Sequence, residues 1–180
     1  MTELATFAGG CFWCMQPPYD KVDGVQSVIT GYIGGTTTNP TYENFAQHDH
    51  KEAVQISFDP DRTSYDNLLE IFWQNIDPTD VGGQFADRGK QYETAIFYHN
   101  DKQKIAAETS KKNLEQSGKF SQPIATQILP AQEFYPAEEY HQEFYKKNPE
   151  QYASYKYHSG REPFLKKTWA TEKDNLKKDE

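Results

Sequence analysis

The segment Gly9-Gly10-Cys11 constrains this chain most, because it joins an apolar run to a thiol through a tight turn. The run from Leu4 to Ala8 has the short apolar pattern of a buried strand, and the two glycines end it. Glycine lets the backbone turn sharply, so Cys11 is expected at the first turn of a helix. Because the helix dipole favours a thiolate there, the segment predicts a reactive cysteine between a strand and a helix.

Cys14 is the only other cysteine among the 180 residues, and it lies three positions after Cys11. In an intracellular chain, a pair at this spacing indicates redox or metal chemistry more often than a structural disulfide. A zinc site would need His48 and His50 as further ligands, and a single residue between two ligands is unusual for zinc. We therefore expect no metal site.

Acidic side chains outnumber basic ones, with 27 Asp and Glu against 19 Lys and Arg. This excess argues against a nucleic acid or an anionic membrane as a partner. No apolar stretch approaches the roughly 20 residues that cross a bilayer, and no signal-peptide pattern is present. We expect a cytoplasmic protein that does not associate with membranes and acts as a monomer.

Strand and helix patterns alternate along the chain. The predicted strands are Leu4 to Ala8, Val25 to Ile33, Ala53 to Phe58, Ala95 to Tyr98 and Ala125 to Leu129. The predicted helices follow Ser64, run from Asp101 to Gln116, and run from Ala137 to Lys147. This order predicts a single α+β domain, 1–165, with a mixed β-sheet, helices packed on it, and an extended polar C-terminal tail, 166–180.

Two prolines, Pro17 and Pro18, interrupt the helix expected after Cys11. A proline inside a helix removes a hydrogen bond and clashes with the preceding turn, at a cost of about 3 kcal/mol. Either the helix kinks there, or Cys11 to Gln16 forms a first turn and the regular helix begins at Pro17.

Glu52 shares its side of a predicted strand with Val54, Ile56 and Phe58, because side chains two positions apart face the same way. A carboxyl group on an apolar face is desolvated, which raises its pKa and keeps it protonated near neutral pH. A protonated carboxyl is what a general acid requires. The alternative is a frayed strand end at which Glu52 turns to water.

An ordered set of motifs resembles the family of A-type peptide methionine sulfoxide reductases. The hallmark is a Gly-Cys-Phe-Trp run after a glycine turn, here Gly10-Cys11-Phe12-Trp13, and matches continue to about residue 152. The further motifs are Gly31-Tyr32, Gly34-Gly35, Asn39-Pro40-Thr41-Tyr42, His50-Lys51-Glu52-Ala53-Val54, Asp77-Pro78, Gln84-Phe85-Ala86-Asp87, Gly89-Lys90-Gln91-Tyr92, Phe134-Tyr135-Pro136-Ala137-Glu138, Tyr140-His141-Gln142 and Asn148-Pro149.

The resemblance implies reduction of the S epimer of methionine sulfoxide, free or in proteins, through a sulfenic acid on Cys11. Glu52 would protonate the sulfoxide oxygen. The resemblance selects Tyr42 and Tyr92 to hold that oxygen through neutral hydroxyl donors, and Asp87 to order the site. Phe12 and Trp13 would form an apolar pocket for the methyl group.

The chain departs from the commoner family pattern in its recycling cysteines, because none follows Asn148-Pro149. Either Cys14 closes a disulfide with Cys11 that a thioredoxin-like or glutaredoxin-like protein reduces, or an external thiol attacks the sulfenic acid directly. No bound cofactor is expected. Gln16 is a smaller departure, since the family more often has Glu there.

Two other functions remain open at this point. A dithiol-disulfide oxidoreductase would use Cys11 and Cys14 as a redox pair, but it leaves Glu52, Tyr42 and Tyr92 without a shared role. A binding module with an aromatic pocket would hold a methylated or thioether group, and it leaves the thiol unexplained.

Overall fold

The computed structural model describes residues 1–170, and its centre is a six-stranded sheet. The strands are β1 (Glu3–Ala8), β2 (Val25–Ile33), β3 (Lys51–Phe58), β4 (Gly83–Gln84), β5 (Asp87–Arg88), β6 (Ala95–Tyr98), β7 (Gln127–Pro130) and β8 (Tyr135–Pro136). Their order in the sheet is β7-β6-β1-β3-β2-β8, and β4 and β5 form a separate hairpin. Among the strands of residues 1–170, only β6 and β7 pair in parallel, so the sheet is mixed, as predicted.

Seven α-helices surround the sheet in the described residues. They are α1 (Phe12–Met15), α2 (Pro17–Asp20), α3 (Tyr65–Trp73), α4 (Asp101–Gln116), α5 (Phe144–Lys147), α6 (Pro149–His158) and α7 (Arg161–Thr168). Ser64 caps α3 as predicted, because its hydroxyl accepts the Asn67 N–H at 3.1 Å. Three short 3₁₀ helices cover Phe45–His48, Lys90–Tyr92 and Glu139–His141.

The core lies between the sheet and α3. Phe7 of β1 stacks on Phe72 of α3 at 5.1 Å between ring centroids and on Tyr19 of α2 at 5.8 Å. Leu68 and Leu69 of α3 are fully buried beside them. Burying such side chains stabilises the fold by about 1.5–3 kcal/mol each, and this packing fixes the strand that leads to Cys11.

The double proline separates two short helices, which confirms the second of the two alternatives. The first helix ends at Met15, and the next begins at Pro17, where the missing N–H of proline costs nothing. Gln16 stands between them, and its Nε2 donates to the carbonyl of Val28 at 2.8 Å. The junction is therefore held to β2 rather than kinked.

The helix predicted from Ala137 to Lys147 is wrong. The segment forms the 3₁₀ turn at 139–141 and then α5, and Glu143 between them adopts a left-handed backbone with φ 51°. The Glu143 N–H donates to Gln16 Oε1 at 2.8 Å, while the amide of Gln142 hydrogen-bonds both backbone groups of Thr30. These contacts with distant residues outweigh the local helical pattern.

The C-terminal part of the described chain is more ordered than the predicted tail suggests. Helix α7 continues to Thr168 across the predicted boundary at 165, and Arg161 at its start is buried. Residues 171–180 of the predicted tail lie outside the described residues. The predicted strand from Ala125 is shifted, because the Ala125 N–H donates to Pro78 at 2.7 Å before β7 begins. Within 1–170, no helix is long and apolar enough to span a bilayer.

Candidate active site

The glycine turn after β1 carries Cys11 into a narrow cleft. Gly10 has a left-handed backbone with φ 83°, and a Cβ there would lie 2.6 Å from Gln84 Cβ and 2.8 Å from Arg161 Nη2. A side chain at this position would therefore be strained and crowded. The Cys14 N–H donates to the carbonyl of Cys11 at 3.1 Å and closes the turn onto α1.

The cleft has a volume of about 90 Å³ and collects almost every residue that the sequence predicted for the site. Its lining comprises Cys11, Phe12, Trp13, Tyr42, Glu52, Asp87, Tyr92 and Tyr155. Cys14 is not part of the lining and is buried in α1. A groove of about 830 Å³ between α3 and α4 contains none of the predicted residues.

Glu52 is buried on the apolar face of β3, as its sequence parity predicts. It lies opposite Tyr32 of β2, and only 2% of its surface is exposed. Burial raises the pKa of its carboxyl to about 8, although the hydrogen bond from the Phe12 N–H lowers it in part. The carboxyl is therefore protonated near neutral pH, and the alternative of a frayed strand end is wrong.

The helix start is expected to favour a thiolate on Cys11, and burial of the thiol in the structure acts against this. Burial raises the pKa of the Cys11 thiol well above its usual value, and the neighbouring Cys14 and Glu52 raise it further. Helix α1 has only four residues, so its dipole is short. Burial therefore favours the neutral thiol over the thiolate at Cys11.

Tyr42 and Tyr92 reach the cleft from two separate loops. The backbone N–H of Tyr42 donates to Glu138 Oε2 at 3.1 Å, which ties its loop to the segment after β8. The Tyr92 N–H donates to the carbonyl of Gly89 at 3.0 Å within the 3₁₀ turn. Burial raises the pKa of both phenols, so both hydroxyls remain proton donors.

Phe12 and Trp13 form the aromatic wall of the cleft. Trp13 stacks flat on Phe144 of α5, with 3.8 Å between ring centroids, and its indole Nε1 donates to His141 Nδ1 at 3.0 Å. The ring of His141 also lies 5.0 Å from that of Phe12. His141 and Phe144 are supporting residues that sequence reasoning missed, although His141 belongs to one of the matched motifs.

Asp87 reaches the cleft from β5 and accepts a hydrogen bond from the Tyr155 hydroxyl. Tyr155 lies on α6, and its ring meets Trp13 edge-on at 5.9 Å. Sequence reasoning missed Tyr155, because α6 has no buried residue and no apolar face that would reveal packing. The only sequence signal for Tyr155 was its position in a stretch rich in aromatic residues.

The two histidines weighed as zinc ligands do not accompany the cysteines. His50 Nδ1 accepts the Gly35 N–H at 3.2 Å, and His48 is part of a short 3₁₀ turn. Across the described 170 residues, no group of three or more His, Cys, Asp and Glu side chains could hold a metal ion.

The geometry combines a thiol, a protonated carboxyl and two phenolic donors beside an aromatic wall. Such a site can bind a small group with an apolar end and a polar oxygen, and it can deliver a proton to that oxygen while sulfur attacks.

Comparison with known proteins agrees with this arrangement. The family model described as peptide methionine sulfoxide reductase matches residues 3–173. The peptide methionine sulfoxide reductase MsrA of Bacillus licheniformis is 60% identical over 174 residues, which cover 96% of each chain. The reduced form of Mxr1 from Saccharomyces cerevisiae has a TM-score of 0.77 at 31% identity and covers 83% of this chain and 87% of its own.

A second structure of the yeast protein, Mxr1 in complex with Trx2, aligns with a TM-score of 0.57 at 26% identity, covering 79% of this chain and 84% of its own. The family match spans every residue that lines the cleft. The chain therefore belongs to the family of A-type peptide methionine sulfoxide reductases, and it is an oxidoreductase that reduces methionine sulfoxide.

Proposed function

We propose that this chain reduces the S epimer of methionine sulfoxide, free and within oxidised proteins, through a sulfenic acid on Cys11. The observation that carries the proposal is the cleft itself, in which a carboxyl that is protonated near neutral pH faces a thiol beside Phe12 and Trp13. In this arrangement the methyl group packs on the aromatic rings, and the oxygen points to Glu52.

The chemistry balances without a bound cofactor. The sulfur of Cys11 loses its proton and attacks the sulfoxide sulfur, while Glu52 gives its proton to the oxygen. The protonated oxygen then passes to the Cys11 sulfur, the bond between the two sulfurs breaks, and methionine leaves. The proton that Cys11 released restores Glu52, so one sulfoxide has been reduced and one thiol oxidised to sulfenic acid.

Tyr42 and Tyr92 are assigned to hold the oxygen while negative charge develops on it. Their raised pKa values favour this role, because a neutral hydroxyl donates a hydrogen bond without bringing a second charge into the cleft. Asp87 orders the site by fixing the hydroxyl of Tyr155. The phenolic hydroxyls bind the oxygen and the aromatic rings contact the methyl group. The site therefore distinguishes the substituents of the sulfoxide sulfur, which favours one epimer.

The sulfenic acid must be reduced before the next turnover. Cys14 is assigned as the resolving thiol, since it lies one helical turn from Cys11 and both cysteines are free thiols. A thioredoxin or a similar reductant then opens the disulfide, and the complex of Mxr1 with Trx2 supports such a partner. Free thiols of this kind suit the reducing cytoplasm, where we place the protein as a monomer.

The same cysteine pair keeps a dithiol-disulfide oxidoreductase as the second candidate. The placement of Cys11 and Cys14 three positions apart in one turn favours it, whereas the protonated Glu52 and the two phenols have no part in it.

The test supplies purified protein and a dithiol with each epimer of a methionine sulfoxide peptide and of free methionine sulfoxide. Reduction of the S epimer alone is expected, with insulin disulfide reduction as the control for the second candidate. Comparable rates on both epimers would contradict the epimer assignment. Insulin reduction without any methionine formed would favour the second candidate.

A further inference from the structure

Arg161 is buried directly beneath the turn that carries Cys11. It opens α7, only 2% of its surface is exposed, and its Nη2 donates to the carbonyl of Gly9 at 2.8 Å. Its Nη1 donates to the carbonyl of Asn75 at 2.6 Å. The guanidinium therefore binds the glycine turn without lining the cleft.

This cation has no acidic partner in the described part of the chain. No carboxylate oxygen of residues 1–170 lies within 4.0 Å of it. Its remaining contacts are the sulfur of Met15 at 3.7 Å and the ring of Phe85, whose centroid lies 4.9 Å from Cζ. Arginine does not lose its proton in proteins, and burying a charge without a counter-ion costs several kcal/mol.

The groups whose pKa Arg161 affects are Cys11, Cys14 and Glu52, and each becomes negatively charged only after it loses its proton. Cys11 follows Gly10, where an added Cβ would lie 2.8 Å from the guanidinium, so the charge lies one residue from the nucleophile. Burial raises the pKa of Cys11 and Glu52, and the positive charge of Arg161 partly opposes this. The hydrogen bond with Cys11 lowers the pKa of Cys14, and the charge of Arg161 lowers it further. The other titratable groups around the thiol pair are Asp87, Tyr42, Tyr92, Tyr152, Tyr155 and, towards Cys14, Lys156.

We propose that Arg161 is a positioning residue whose fixed positive charge stabilises the thiolate that Cys11 becomes during attack, while its hydrogen bond to Gly9 holds the turn. The cation, which has no acidic partner within residues 1–170, is thus the counter-ion of a transient anion. The proposal rests on the proposed function only in taking Cys11 as the nucleophile.

The test measures the pH at which the Cys11 thiol ionises in variants that differ at position 161. Cys14→Ser leaves Cys11 as the single thiol, because the chain has two cysteines. In this background, Arg161→Gln removes the charge and keeps a polar amide, whereas Arg161→Lys keeps the charge. The rate of Cys11 alkylation by iodoacetamide is followed from about pH 6 to pH 11. Because burial raises the pKa of Cys11, the rate at a fixed pH below the midpoint is compared as well, since it falls about tenfold for each unit by which the pKa rises.

We expect the pH midpoint of alkylation to rise by about one unit or more in Arg161→Gln and to stay within about half a unit in Arg161→Lys. The matched control is Arg62→Gln, which removes an exposed arginine paired with Asp23 and should not move the midpoint. Equal shifts in the Gln and Lys variants, or an unmoved midpoint in a folded Gln variant, would overturn the proposal.

Circular dichroism and thermal unfolding establish that each variant is folded. If Arg161→Gln does not fold, Arg161→citrulline keeps the shape and donors of arginine without its charge and is read by the same criteria. Alkylation requires no sulfoxide substrate. A protein that fails to reduce methionine sulfoxide but shows the charge-dependent midpoint would therefore contradict the proposed function and leave the role of Arg161 intact.

Discussion

The backbone N–H of Phe12 donates to Glu52 Oε2 at 3.0 Å, which ties the residue after the nucleophile to the proposed acid. A hydrogen bond from an N–H favours the charged carboxylate, whereas burial favours the neutral acid. Burial has the larger effect, and the pKa of Glu52 is about 8. The bond therefore positions the carboxyl against α1 without removing its proton near neutral pH.

Glu52→Gln should retain the fold and lose most of the reduction rate. Glutamine keeps the shape and can still donate a hydrogen bond, but it cannot release a proton to the sulfoxide oxygen. A general acid contributes about 10²–10⁴-fold, so the single-turnover rate should fall by this amount. The fall in wild-type rate above about pH 8, where Glu52 loses its proton, should also disappear. Wild-type kinetics with an unchanged pH profile would contradict the acid role.

The raised pKa of Glu52 also predicts how stability depends on pH. Between its ordinary value of 4.5 and about 8, the folded protein keeps a proton that the unfolded chain has released. The free energy of unfolding should therefore fall as pH rises through this window, by roughly 1.4 kcal/mol per unit at most. Calorimetry at several pH values should show this slope as the difference between wild type and Glu52→Gln. A constant difference between the two would contradict the prediction.

The two cysteines should separate chemistry from recycling. Cys11→Ser should form no methionine even in one turnover, because a hydroxyl provides almost no anion near neutral pH. Cys14→Ser should form one equivalent and leave a sulfenic acid on Cys11 that dimedone labels, as read by mass spectrometry. Its turnover with thioredoxin should slow. A wild-type rate with thioredoxin would instead assign resolution to an external thiol.

His141 is expected to support stability and substrate binding by accepting the hydrogen bond from Trp13. His141→Phe keeps an aromatic ring but leaves the indole N–H of Trp13 without an acceptor, which should destabilise the protein by about 1–3 kcal/mol and raise KM. In Trp13→Phe the same histidine change should cost much less, since no indole remains. Thermal unfolding and KM across this double-mutant cycle measure the coupling. Additive effects would show that the hydrogen bond contributes little.

Local patterns predicted most of the sheet and the face on which Glu52 lies. The strand that ends at Ala8 and the parity of Glu52 depend on near neighbours, and the structure reproduces both. The helix predicted from Ala137 failed because side chains of Gln16 and Gln142 bind its backbone and that of β2. No local pattern contains such contacts between distant residues.

The candidate site likewise contains residues that the sequence predicted and residues that only the structure reveals. Motifs in the sequence identified the residues of the cleft lining except Tyr155, which comes from a helix without an apolar stripe. Arg161 escaped notice because a lone arginine in a basic segment is usually exposed. Only the packing of α7 under the glycine turn reveals that its side chain is buried.

The contact between Arg161 and Gly9 spans 152 positions of sequence. During synthesis on the ribosome, the thiol emerges long before α6 and α7 are made, and Tyr155, then Arg161, follow the other residues of the cleft lining. A nascent chain therefore carries its nucleophile without the surroundings found in the finished protein. The timing of translation thus keeps the cleft incomplete until α6 and α7 dock.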